Sequence, residues 1–145
     1  MPIEPTQEQL AAIASRAGTD DSPVVMLNLN RYRERADYAE APRDGEAPDV
    51  SGREAYARYG AVAMSVLGRV GGQILWHSEA RETVIGGGED VYDEVIAVWY
   101  PNRAAFVALA THEEILPALV DRTAGLERAA IICCDGNAEP TLAGP

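Results

Sequence analysis

Three stretches of this chain are apolar at odd and even positions alike: VVMLNL from Val24, VIAVWY from Val95 and AAIICC from Ala129. Side chains alternate between the two faces of a strand, so a sheet with one wet face reads apolar, polar, apolar. These stretches predict instead a sheet that needs cover on both sides. The helical segments described below can cover only one. A second copy of the same sheet is the economical cover for the other, so a homodimer packed through sheet faces is expected.

Cap and turn signals divide the rest. Thr6 and Gln9 read as a capping box opening a helix over Gln7 to Ala17, with Leu10, Ile13, Ala14 and Ala17 on one stripe and Gly18 as the stop. The first strand covers Val24 to Asn30 and can extend through Arg35. The stretch from Ala36 to Val50 has Pro and Gly breaks and no apolar period; loops of that length often act as lids or binding loops. Ser51 and Glu54 form a second box, opening a helix with Tyr56, Tyr59, Ala63, Val66 and Val70 on one face. Gly71 and Gly72 close it. Strand two is read from Gln73 to about Ile85, with a turn over Gly86 to Gly88, and strand three from Glu94 to Tyr100. A short helix from Arg103 to Ala110 precedes a third box, Thr111 to Glu114, which opens a helix to about Thr123. Strand four runs from Arg128 to Cys134.

The order is βαββαβ behind an extra helix. That is the ferredoxin-like α+β arrangement, an antiparallel sheet with both crossover helices on one face. It implies an N-terminal helical extension over 1–22, one domain over 23–135 and a flexible tail over 136–145.

Charge narrows the partners. Twelve basic residues, all arginine, stand against 23 acidic ones, giving a net charge of −11. That balance opposes a nucleic acid backbone and an anionic membrane surface. No apolar run approaches the ~20 residues of a membrane span, and MPIEPTQEQL has no signal-peptide pattern, so a cytoplasmic protein is expected. Cys133 and Cys134 are adjacent, hence on opposite strand faces and unable to bond to each other easily. They read as small buried hydrophobes, and neither a metal site nor a cofactor is expected.

Few residues can carry chemistry. Of the two histidines, His77 lies mid-strand beside Trp76 and is the better proton carrier; His112 sits in the third capping box. The plainer reading of both is as exposed or hydrogen-bonded residues. Asn28 and Asn30 put two amides on one face of an apolar strand, to bind a ligand oxygen or a neighbouring loop. Tyr56 and Tyr59 share the inner face of the main helix, as pocket donors or plain core, and an Asn28–Tyr59 contact is expected. Arg31, Arg33 and Arg35 alternate along the strand's extension, facing a carboxylate ligand or the chain's own acids. Arg53 and Arg58 carry the same ambiguity. The triple glycine lacks the strand and helix context of a dinucleotide site.

Several of these stretches together resemble the DUF1330 family, a group of uncharacterised proteins in the dimeric α+β barrel superfamily. The resemblance rests on MLNLN from Met26, GREAYARYG from Gly52, Gly71-Gly72, YPNRAAF from Tyr100 and RTAGLERA from Arg122, and spans about Val24 to Asp135. It implies a pocket between sheet and helices, as in the superfamily's cofactor-independent monooxygenases, lactone isomerases and cyclase-like enzymes. It implies no particular activity, because fold does not fix function. Two classes stay open. One is a cofactor-independent enzyme acting by proton transfer on a small carbonyl, aromatic or polyketide-like metabolite, with His77 as the catalytic group and Asn28, Tyr56, Tyr59 and Trp76 around the substrate. The other is a non-catalytic homodimer that binds a small molecule or is purely structural.

Overall fold

A computed structural model of the chain describes residues 3–39 and 47–137. Helix α1 (Gln7–Ala17) starts at the expected reciprocal box, Thr6 accepting from the Gln9 N–H while the Gln9 side chain accepts from the Thr6 N–H. It is followed by β1 (Val24–Tyr32), α2 (Gly52–Arg69), β2 (Gln73–Glu79), β3 (Glu94–Tyr100), α3 (Arg103–Ala110), α4 (Ile115–Gly125) and β4 (Leu126–Asp135). The four strands form one antiparallel sheet in the order β2-β3-β1-β4. This is the ferredoxin-like topology, with the second crossover built from α3 and α4 together.

The sheet's two faces have different fates. Val24 and Met26 of β1 and Val98 and Tyr100 of β3 are buried under Val66 and Leu67 of α2 and Ile115 of α4. Helix α2 packs along α4, and α1 lies against α3 with only Ile13 reaching the core. The opposite face carries Val25, Leu27, Leu29, Val95, Trp99 and Ile132, and among the described residues no element covers it. Trp76 and Ile132 are 51% and 52% exposed there. Among the described residues no helix is long and apolar enough to cross a membrane.

Several expectations need correction. Strand two ends at Glu79 rather than near Ile85, because Ala80 N–H donates to Asp93 as the last rung and the chain then leaves the sheet; Val84 and Ile85 are 87% and 93% exposed. The third capping box does not form. Thr111 ends α3 by donating its hydroxyl to the Val107 carbonyl at 2.7 Å, and His112 Nδ1 accepts from the Glu114 N–H at 3.1 Å. The second box is half made: Ser51 Oγ accepts from the Glu54 N–H at 3.1 Å, but the Glu54 carboxylate meets the Ser51 hydroxyl instead of its N–H. Cys133 and Cys134 are exposed on edge strand β4 rather than buried.

The long loop is anchored at both ends. Ala36 N–H donates to Val50, Asp37 N–H to Ala124, and buried Tyr38 donates its hydroxyl to Asp121 at 2.5 Å. The tip expected to act as a lid includes residues 40–46, and most of the tail expected at 136–145 is residues 138–145; both lie outside the described residues.

One close approach sets how α2 and α4 meet. Arg33 N–H donates to the Gly125 carbonyl at 2.9 Å, and Gly52 N–H donates to the Arg33 carbonyl at 3.0 Å. A Cβ on Gly52 would sit 2.2 Å from Arg33 O and 2.6 Å from Gly125 O, both backbone atoms that cannot swing aside. Gly68, in the same helix, has open space around it. Gly52→Ala is therefore expected to cost about 2 kcal/mol or more in chemical denaturation. Gly68→Ala is expected to gain ~0.5–1 kcal/mol from helix propensity. Equal stability of the two variants would contradict the close packing at Gly52.

Candidate functional site

The helix-covered face is not filled along its whole length. Beside α2 lies a cavity of about 130 Å³ lined by Asn28, Tyr56, Tyr59, Ile96, Phe106 and Arg122. A second, more open hollow of about 340 Å³ adjoins it, lined by Tyr32, Arg53, His77 and Glu94. Tyr56, Gly60, Met64, Ile74 and Ile96 border both, so they form one cleft between α2 and the β2–β3 side of the sheet.

His77 reaches this cleft through a bulge. Ile74 pairs with Val98, but the next residue paired to β3 is Trp76, opposite Ala97, and Leu75 is left over. An extra residue in one strand shifts every later side chain to the other face. Without it, Trp76 would share the helix-covered face with Ile74, and His77 would point away. With it, His77 pairs with Ile96 on the cleft side and Trp76 goes to the uncovered face.

His77 arrives beside a carboxylate. Its Nδ1 lies 3.6 Å from Glu94 Oε2, and its side chain is 67% exposed against 17% for Glu94. The Tyr32 hydroxyl donates to Glu94 Oε1 in a short hydrogen bond, and Asn30 Nδ2 donates to the Tyr32 hydroxyl at 3.4 Å. Arg53 Nη1 stands 3.9 Å from Glu94 Oε2, with its guanidinium 4.8 Å above the Tyr32 ring. A line of polar groups therefore runs from Asn30, itself 2% exposed, through Tyr32 and Glu94 to His77 at the mouth. Tyr32, Tyr56 and Tyr59 stack in series, with ring centroids 5.3 and 5.4 Å apart.

The buried phenols resist ionisation. Burial pushes Tyr56, Tyr59 and Tyr100 above the ordinary tyrosine pKa of 10.0. Tyr32 is pushed up first by burial and then by its hydrogen bond to the Glu94 carboxylate. These hydroxyls are donors at neutral pH, and that of Tyr59 has no hydrogen-bond partner among the described residues.

The structure brings together four of the five site residues read from the sequence. Asn28, Tyr56 and Tyr59 line the inner cavity, and Tyr56 also borders the hollow that holds His77. Trp76 is not with them, because adjacent strand residues cannot share a face and the bulge gives the cleft to His77. The Asn28–Tyr59 hydrogen bond does not form: Asn28 Nδ2 donates to the carbonyls of Met26 and Ile96, at 3.1 and 3.4 Å. Arg31 pairs with Glu127 at 2.8 Å and Arg35 with Asp49, so two of the three arginines in the row serve the chain's own acids. Sequence reading missed Tyr32, Glu94 and Arg122. Tyr32 continues the polar series Asn28, Asn30 at spacing two, and Glu94 is the acid that opens an otherwise apolar strand.

Residues 45–136 match the profile of DUF1330, described as a domain of unknown function. The first strand of the expected resemblance lies outside that match. The chain is 31% identical to the methylated RPA0582 protein, with a TM-score of 0.83 and 97% of each chain covered. A second structure, of the RPA0582 protein of unknown function from Rhodopseudomonas palustris, gives 31% identity and a TM-score of 0.81 over 95% of this chain and 98% of that one. A dimeric protein of unknown function with a ferredoxin-like fold from Bacteroides fragilis is 11% identical, with a TM-score of 0.48 over 78% and 95% of the two chains. No curated protein matches the chain.

The tyrosine environments have a measurable consequence. A phenol whose pKa is raised by folding stabilises the fold fully below pH ~10, and that contribution is lost as pH rises toward the folded-state pKa. Spectrophotometric titration at 295 nm is expected to show Tyr32, Tyr56, Tyr59 and Tyr100 ionising above the ordinary tyrosine range in the folded protein, with stability falling from about pH 10 upward. Ionisation of all six tyrosines together near pH 10 without unfolding would contradict these placements.

Proposed function

The chain belongs to the DUF1330 family, and from that premise we propose that it is a cofactor-independent enzyme moving a proton on a small carbonyl or aromatic compound held in the cleft beside α2. The observation that carries this reading is the His77–Glu94 pair at the mouth of a cleft whose walls are mostly apolar and aromatic. A carboxylate 3.6 Å from Nδ1 favours the tautomer protonated there, which leaves Nε2 to take a proton, and it stabilises the imidazolium that results. Tyr32 and Arg53 hold the carboxylate in place. Deprotonation next to a carbonyl builds negative charge on its oxygen. To that charge we assign the neutral hydroxyl of Tyr59, which lines the adjoining inner cavity, as the donor. Asn28, its Nδ2 already engaged, shapes the inner wall.

Proton exchange tests this without knowledge of the natural substrate. In D2O, the protein is expected to speed deuterium incorporation at the α-carbon of at least one of acetophenone, 1-tetralone and phenylpyruvate, followed by proton NMR. His77→Gln should lower that rate by about 10²–10⁴-fold. An unchanged rate in His77→Gln would remove His77 from the chemistry. No exchange on ketones that the protein nonetheless binds would favour the non-catalytic binding protein.

The working unit in this reading is a homodimer joined through the uncovered sheet face. Its support is the apolar character of that face, where Leu27, Leu29, Trp99 and Ile132 stand without a covering layer among the described residues. Light scattering is expected to give twice the chain mass of 15.5 kDa. Ile132→Arg changes a side chain that is 52% exposed in the single chain, so it should leave the fold intact and yield monomers. A wild-type monomer at micromolar concentration would contradict this assembly.

A further inference from the structure

We propose that the ligand of the cleft is a small aromatic carboxylate, with its carboxylate group on Arg122 at the inner end and its reacting end toward His77 at the mouth. This rests on the reading of the cleft as a ligand site and adds the ligand's charge and orientation.

Arg122 belongs to α4, and its guanidinium lines the inner cavity together with the apolar side chains of Phe106, Ile131 and Leu109. Its Nη1 donates to the Ile3 carbonyl at 2.6 Å, and its guanidinium carbon is 6.0 Å from the Tyr59 ring centroid. Among the described residues no carboxylate forms an ion pair with it; Arg16, Arg33 and Arg58 also lack one but are exposed, whereas Arg31, Arg35, Arg53, Arg69, Arg81 and Arg103 each have one. A half-buried cation in an apolar wall is costly unless an anion satisfies it. The guanidinium fork is suited to take a carboxylate through two parallel hydrogen bonds.

Local charge points the same way. The charged groups lining the two hollows are Arg122, Arg53 and Glu94, a balance of 2 − 1 = +1 with His77 neutral, in a chain whose net charge is −11. The size is right for one ring: about 130 Å³ here, against the roughly 150 Å³ of an apolar cavity that takes benzene. Tyr59 and Phe106 supply aromatic walls for it. A carboxylate seated on Arg122 leaves the rest of the molecule to extend past Tyr56, which borders both hollows, toward the His77–Glu94 pair.

Calorimetry with benzoate and its neutral counterpart benzyl alcohol tests this on the intact chain. Wild-type protein is expected to bind benzoate about 10- to 100-fold more tightly, the range of one or two charge-assisted hydrogen bonds. Arg122→Gln should bring the ratio close to one, and Arg122→Lys should keep part of it. Equal binding of the two compounds to wild type would overturn the inference while leaving the cleft a ligand site. So would a preference that survives in Arg122→Gln. If neither compound binds, the ligand-site reading falls as well. The wild-type comparison needs no variant, so it decides the matter even if Arg122→Gln fails to fold without its tie to Ile3.

Discussion

Strand β1 is paired on both sides, so its backbone groups are spent on the sheet and its side chains have only two directions to take. With Val24 and Met26 fixed under the helices, the period of two carries Asn28, Asn30 and Tyr32 to the same face. The antiparallel register sets Asn30 opposite Glu94, which places that carboxylate within reach of the Tyr32 hydroxyl. One end of a single face thus holds the hydrophobic core and the other a polar line. A slip of one residue would exchange both ends with the uncovered face at once.

The remaining partner comes from β2, where a single extra residue decides which side chain enters the cleft. Bulges commonly re-aim one side chain near a functional site, and here the shift trades a tryptophan for a histidine. The tryptophan joins an apolar surface; the histidine joins a carboxylate already held by Tyr32 and Arg53. Exposure differs sharply along this line, from buried Asn30 to largely exposed His77. That gradient suits a group that must meet a ligand while its support stays fixed.

Much of the fold was legible in the sequence, because strand and helix periods and the first cap are local signals. The four strands and the helices Gln7–Ala17 and Arg103–Ala110 follow directly from them. Errors arose where a local pattern lacked a tertiary partner. The residues after Glu79 look strand-like, but no neighbouring strand meets them, and the spacing from Thr111 to Glu114 mimics a cap while Thr111 closes the preceding helix. The site was legible only in part. His77 and Asn28 stood out as polar residues in apolar strands, and the two tyrosines as a helical face. Glu94 could not be found this way, since an acid at a strand start reads as solvated until pairing sets it opposite Asn30. Arg122 needs the packing of α4 against α2 to be seen as a cavity wall. Trp76 and His77 could not both be right, and only the position of the bulge separates them.

The proposed chemistry requires that the cleft beside α2 take a ligand with His77 at its mouth. The direct measurement follows the two histidine rings by NMR during a titration with phenylacetate, using one substitution to assign them. The His77 signals should move in step with saturation while those of His112, outside the cleft, stay in place. Histidine signals that ignore phenylacetate, or that move together without saturating, would contradict it.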